Sequence, residues 1–300
     1  MKSFRSDTER EGVTAQDDDR VIWTPQEQRM LKYMLTKDGI QFFRYFFKHR
    51  EGNAAVLNWH HFIIDYVLEL VLSNKINRLI INLPPGYTKT EIAVINFIMR
   101  GFVINPRARF IHTSYSNGLA LENSSKVKDG IESEPYQELW PYKIKSDKKS
   151  KQLWYTESGG GVRAAAAGGQ ITGFRAGRME SGFTGALICD DPVKPADAFS
   201  AVARNRVNNS FNSTQRSRLA KDDLNPIIVI MQRIHEEDLT GFLLRGGSGD
   251  YWHHLTLPVR LKGIYKPYPK AYTHGVPLPI RGILESLHEG VDLEVPKSQI

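Results

Sequence analysis

Residues Leu79 to Glu91, LIINLPPGYTKTE, carry the reading of the fold. Leu79, Ile80 and Ile81 suit a strand buried on both faces. The run breaks at Pro84-Pro85-Gly86 and resumes after Lys89-Thr90 as an apolar segment, Glu91 to Ile104, that reads as a helix. A strand, a tight turn and a helix opened by Lys-Thr is the layout of a phosphate-binding loop. Backbone amides and a helix N-terminus face the phosphates, a Lys takes the β- and γ-phosphates, and a hydroxyl serves Mg²⁺. Lys89 and Thr90 fill the last two roles, with Pro85, Gly86, Tyr87, Thr88 and Glu91 completing the nucleotide-binding segment. The match to G-x-x-x-x-G-K-[ST] is partial. Leu83 and Thr88 stand where the two glycines belong, and only Gly86 between them is permissive. The amides of residues 86 to 90 are nevertheless intact, because both prolines precede them.

A second strand end supplies acids. In Gly185 to Pro195, GALICDDPVKP, the apolar run Ala186 to Cys189 delivers Asp190 and Asp191 to its carboxyl end, the edge where open α/β sheets gather ligands. Asp190 suits the Mg²⁺ side and Asp191 the orientation or deprotonation of an attacking water; alone, the pair also reads as an Asx turn before Pro192. With a further candidate strand at Arg109 to Ser116, RFIHTSYS, the joint reading is an α/β P-loop NTPase of the additional-strand (ASCE) type. Its central sheet is mainly parallel and flanked by helices. Asn225 to Met231, NPIIVIM, is another buried strand, and it ends in Gln232, Arg233 and His235. Gln232 is a candidate to sense a γ-phosphate, the alternative being a polar side chain that meets solvent after a strand. Arg175 and Arg178 lie in a Gly-rich loop before the Asp pair and are candidates to reach a neighbouring subunit's γ-phosphate.

At 300 residues and 41% hydrophobic content the chain can bury a sizeable core. The net charge of +7 is compatible with a polyanionic partner without demanding one. Two basic runs, Lys143 to Lys151 and Arg204 to Lys221, are either DNA-facing surfaces or solvated faces. The one cysteine, Cys189, sits in an apolar run and reads as a core residue of a reducing compartment. No stretch has the length and apolarity of a membrane span. Residues 1–20 read as a disordered tail, 21–56 as a small N-terminal helical cap, 57–260 as the ATPase domain, and 261–300 as a Pro-rich exit. Trp59, His60 and His61, at the head of a helix before the loop, suit either an adenine pocket or the core. Zinc spacing and a nucleophile elbow are both missing from the sequence.

The order of these motifs resembles the ATPase part of a tailed-bacteriophage terminase large subunit. The resemblance runs from Trp59 to Pro258 through WHHFIIDYVLEL, NRLIINLPPGYTKTE, IHTSYSNGLA, GGQITGFRAG, LICDDPVKP and IIVIMQRIHEEDLTGFLL. In the last block, Gln-Arg-x-His-Glu-Glu-Asp-Leu is similar to that family's Arg-x-His-x-Asp-Asp-Leu segment. The resemblance implies an ATP- and Mg²⁺-dependent motor that moves double-stranded DNA. It would work as a ring, usually of five subunits, docked on the portal protein of a procapsid in the host cytoplasm, with a small terminase subunit as a further partner. It assigns phosphate and metal roles to Lys89, Thr90 and Asp190, the water-activating role to Asp191, and an arginine finger to Arg178 or Arg175. Two positions depart from the pattern: Thr88 replaces a Gly, and Asp191 replaces a Glu, which brings Glu180 or Glu236 forward as contributors. The nuclease that follows the motor in full-length relatives is expected to be absent from this chain. A helicase-like remodelling ATPase and a nucleotide-binding scaffold without turnover are the rival readings.

Overall fold

The computed structural model describes residues 23–258 and 268–288; the expected tail lies outside them. The first described helix, α1 (Pro25–Lys37), starts at a capping box in which Thr24 and Glu27 bond each other's backbone N–H, with Pro25 at the first helical position. Asp38 ends α1 and caps α2 (Gly39–Glu51) by accepting from Gln41 N, so two short helices are joined at one residue and pack on each other. Their apolar faces, including Leu35, Phe42 and Phe46, pack into the same core as α3 (Trp59–Leu72).

From α3 the chain enters β1 (Arg78–Asn82), crosses the loop, and runs through a widened, π-type turn at Glu91–Asn96 into α4 (Phe97–Ile104). There follow β2 (Arg109–Ser114), α5 (Asn117–Glu132) and α6 (Glu134–Leu139). Strands β3 (Ile144–Lys149), β4 (Leu153–Thr156), β5 (Gly161–Ala166) and β6 (Leu187–Asp190) come next. The remaining elements are α7 (Ala201–Ser210), β7 (Ile227–Met231), α8 (Leu239–Leu244), β8 (Trp252–Thr256), β9 (Gly275–Pro277) and α9 (Ile280–His288). Among the described residues the strands form one sheet of order β3-β4-β5-β2-β6-β7-β1-β8-β9. It is parallel from β5 to β9, with β3 and β4 antiparallel at one edge. The fold is therefore mixed α/β, with a mostly parallel sheet between helical layers.

Alternation along the buried strands sorts side chains between the two layers. Leu79 and Ile81 of β1 join α3, α4 and α5 on one face, whereas Ile80 faces Leu239, Leu243 and Trp252 on the other. Cys189 belongs to that second layer. It is buried and free, donates weakly to Gln215 Oε1 at 3.2 Å, and burial pushes its thiol up to about 12.

Two expectations change. The segment after residue 260, read as a Pro-rich exit, instead adds β9 to the sheet beside β8 and packs α9 on α3 among its described residues. Proline is tolerated there because Pro277 ends an edge strand and owes the ladder no N–H. The basic run from Arg204 to Lys221 begins in α7 and continues through a π-type turn at Phe211–Gln215 and a 3₁₀ turn at Arg216–Arg218. Its arginines are not a uniform solvated face. Arg204 is buried against Ala198 O and Glu237, and Arg216 is held by Asp222 and Asp250. After β7, α8 starts at Leu239, where Asp238 caps it by accepting from Gly241 N at 3.0 Å.

Candidate active site

Strands β1 and β6 end at the same edge of the sheet, with β7 between them: Asn82 stands level with Met231, and Asp190 with Ile230. The loop leaving β1 turns at Gly86 (φ +82), passes Thr88 (φ +52), and enters its helix at Lys89. That turn brings the two sequence motifs into contact. Thr90 Oγ1 donates to Asp190 Oδ2 at 2.8 Å, and Lys89 Nζ lies 2.8 Å from Asp191 Oδ2. Asp191 Oδ1 accepts from Gln232 N at 3.1 Å, so the end of β7 is tied to the same carboxylate. Asp191 itself is left-handed, at φ +41. Two non-glycine residues with positive φ in one cluster are local strain, of the kind that concentrates at functional sites.

Burial first, and the neighbouring charge of Asp191 second, push the Asp190 carboxyl up to about 7, against the opposing pull of Thr90 and Lys89. Asp190 is 1% exposed, and its Oδ1 has no protein partner. A buried, orphaned carboxylate oxygen next to a hydroxyl that already touches its twin is a donor set that fits Mg²⁺, which takes one or two carboxylates and completes its shell with water and phosphate oxygens. Among the described residues no cluster of three or more His, Cys, Asp or Glu side chains forms a self-sufficient metal cage.

The surroundings hold residues the motif reading passed over. Asn82, buried at the end of β1, donates to Met231 O at 3.1 Å and Thr240 Oγ1 at 3.0 Å, and its Oδ1 lies 2.8 Å from His254 Nε2. One amide thus joins β1, β7, β8 and α8 behind the loop. The widened turn after the loop has a local cause: Asn96 Nδ2 donates to Glu91 O at 2.8 Å, a side-chain bond spanning five residues. Glu91 directs its carboxylate to Arg50 of α2. Trp59, His60 and His61 are buried, and His61 Nε2 meets Thr88 Oγ1 at 2.6 Å.

Other sequence candidates stand elsewhere. Arg178 lies at the amino ends of the strands, where its backbone N–H bonds Thr184 and its guanidinium donates to Arg107 O at 2.7 Å and to Gly159 O. Arg175 is exposed at that same edge and donates to Leu219 O at 3.1 Å. Glu180 pairs with Arg107 at 3.1 Å, also away from Lys89. Glu236 follows β7 at the ligand edge and is exposed. Lys143, Lys145 and Lys151 are exposed on the antiparallel hairpin at the sheet's edge.

No protein-family model matches the chain, and no curated protein matches it. Among solved structures it is similar to the crystal structure of the HK97 bacteriophage large terminase, with 12% sequence identity and a TM-score of 0.48. That match covers 85% of this chain and 51% of the other, so the chain spans about half the length of that structure. No helix among the described residues is long and apolar enough to cross a membrane.

Proposed function

We propose that this chain is a Mg²⁺-dependent ATPase of the P-loop, additional-strand type that drives double-stranded DNA as the motor of a terminase large subunit. The observation that carries the reading is the pair of 2.8 Å contacts, Thr90 to Asp190 and Lys89 to Asp191, made between two parallel strands with a third inserted between them. Lys89 and the amides of residues 86 to 90 bind the β- and γ-phosphates. Thr90 and Asp190 hold the metal, which when bound neutralises charge on the phosphoryl oxygens. Asp191 orients the attacking water. Gln232, bonded to Asp191 through its backbone, carries the state of that carboxylate into β7 and α8.

The DNA, portal, small-subunit and ring assignments rest on the motif resemblance, helped by a net charge of +7 and the exposed lysines of the edge hairpin. In such a ring Arg175 or Arg178 would act on a neighbour's nucleotide. One observation favours a second reading, a nucleotide-binding scaffold without turnover: a β-branched Thr88 takes the place of the loop glycine. The deciding experiment is ATP turnover with and without duplex DNA by the wild type, Lys89→Ala and Asp190→Asn. DNA-stimulated turnover lost in both variants supports the motor. No turnover by the wild type, at concentrations high enough to assemble, supports the scaffold.

A further inference from the structure

We propose that His61 is a positioning residue, an imidazole brace on α3 that holds Thr88 in its left-handed conformation and so sets the phosphate loop. The inference rests on the phosphate-loop reading and adds to it a residue outside the loop. At φ +52 a glycine would need no help, whereas a β-branched residue is an outlier there and persists only where its surroundings hold it. The structure supplies the hold. Asn58 N donates to His61 Nδ1 at 2.9 Å as part of the cap of α3. That bond, shorter than the 3.3 Å approach of Nδ1 to Asn58 O, makes Nδ1 the acceptor and assigns the ring proton to Nε2, which donates to Thr88 Oγ1 at 2.6 Å.

The ring has little freedom to turn away. His61 is 3% exposed, stacked on Phe43 of α2 with ring centroids 5.7 Å apart, and flanked by His60 at 4.0 Å. Burial holds its pKa below the usual histidine value, which keeps the neutral tautomer that this pattern needs. On the loop side, Thr88 O accepts from Ile92 N at 3.2 Å, so the residue that is braced also opens the helix carrying Lys89 and Thr90. Helix α3 is thereby linked to the loop through this hydrogen bond, beside the link from Arg50 of α2 to Glu91. A Thr in the glycine position and a His one helix away form a compensating pair.

A double-mutant cycle tests this in the full chain with His61→Ala, Thr88→Gly and the double variant, read by equilibrium binding of a fluorescent ADP analogue with Mg²⁺ and by thermal unfolding. The expected result is that His61→Ala weakens nucleotide binding at least tenfold when Thr88 is present and less than twofold in the Thr88→Gly background. Its effect on Tm should shrink in parallel. Equal losses in both backgrounds would overturn the brace and give His61 a role unconnected with Thr88, as would unchanged affinity and Tm in His61→Ala. If no form, wild type included, binds nucleotide, the phosphate-loop reading falls, while the thermal cycle still decides whether His61 and Thr88 are coupled.

Discussion

Lys89 Nζ lies 2.8 Å from Asp191 Oδ2, so the cation assigned to phosphate is held by the carboxylate assigned to water. The two assignments exclude each other until that pair opens, and nucleotide binding must compete with an internal anion. Asp191→Asn removes the competitor while keeping a residue that tolerates left-handed backbone. The expected outcome is a split: ADP affinity rises roughly tenfold, equivalent to about 1.4 kcal/mol, while turnover falls by about 10²- to 10⁴-fold. Equilibrium binding and steady-state turnover on one preparation check it. Weaker binding by Asp191→Asn would show that the pair does not restrain Lys89.

Asp190 gives the pH dependence. Its carboxyl is raised from the ordinary 3.8 to about 7, chiefly by burial, so below pH 7 it holds a proton that a metal must displace. Mg²⁺-nucleotide affinity should therefore fall by about tenfold per pH unit as pH drops below about 7, and level off above it. Binding at pH 6.5 should release protons, seen as a calorimetric enthalpy that varies with the ionisation enthalpy of the buffer. Asp190→Asn should bind weakly and lose that variation. A pH-independent affinity between 5.5 and 7.5 would contradict the assignment of Asp190 to the metal.

Two glycines, Gly86 in the loop and Gly185 at the opposite, amino end of β6, separate backbone strain from crowding. A Cβ on Gly86, at φ +82, meets nothing within 4 Å, so Gly86→Ala carries only the left-handed backbone cost, about 1–2 kcal/mol in a denaturation curve. Gly185, at φ +120, would place its Cβ 2.0 Å from Arg109 O, where β6 enters the sheet beside β2. Gly185→Ala should fail to give soluble folded protein, whereas Gly86→Ala should fold and lose nucleotide affinity.

Much of this site was legible in the sequence because it depends on strand ends. An apolar run followed by a turn into Lys-Thr, and runs that stop at Asp-Asp and at Gln-Arg, place their polar groups at one edge once the strands run parallel. The strand order was not legible, since nothing local says that β7, late in the chain, inserts between β1 and β6. Strand β8 was missed because its WHHLT reads as polar, although His254 is buried and bonded to Asn82. The partners of Thr88 and Glu91 were hidden for a related reason. His61 and Arg50 belong to helices that approach the loop only in the folded chain, and a histidine at the head of a helix suits an adenine pocket or the core equally well by sequence, with nothing local to name Thr88 as its partner.

The two arginines offered as fingers differ in what they already hold. Arg178 donates from Nε to Arg107 O at 2.7 Å and from Nη2 to Gly159 O, joining the entry of β2 to the turn between β4 and β5. Arg178→Ala removes both bonds, with Gly159 O keeping Arg109 Nε at 3.4 Å and Arg107 O open to water, and should cost about 1 kcal/mol of stability. Arg175 is exposed and is the one able to extend toward another subunit with little loss to its own fold. Arg175→Ala should keep the wild-type Tm within about 1 °C, because isolated exposed side chains contribute little to stability. It should also abolish the more-than-linear rise of turnover with protein concentration that a finger acting in trans produces. Turnover measured across a concentration series for both variants distinguishes them. If Arg175→Ala keeps the wild-type concentration dependence and Arg178→Ala loses it at unchanged Tm, the roles are reversed. If both keep it, the finger lies on another element.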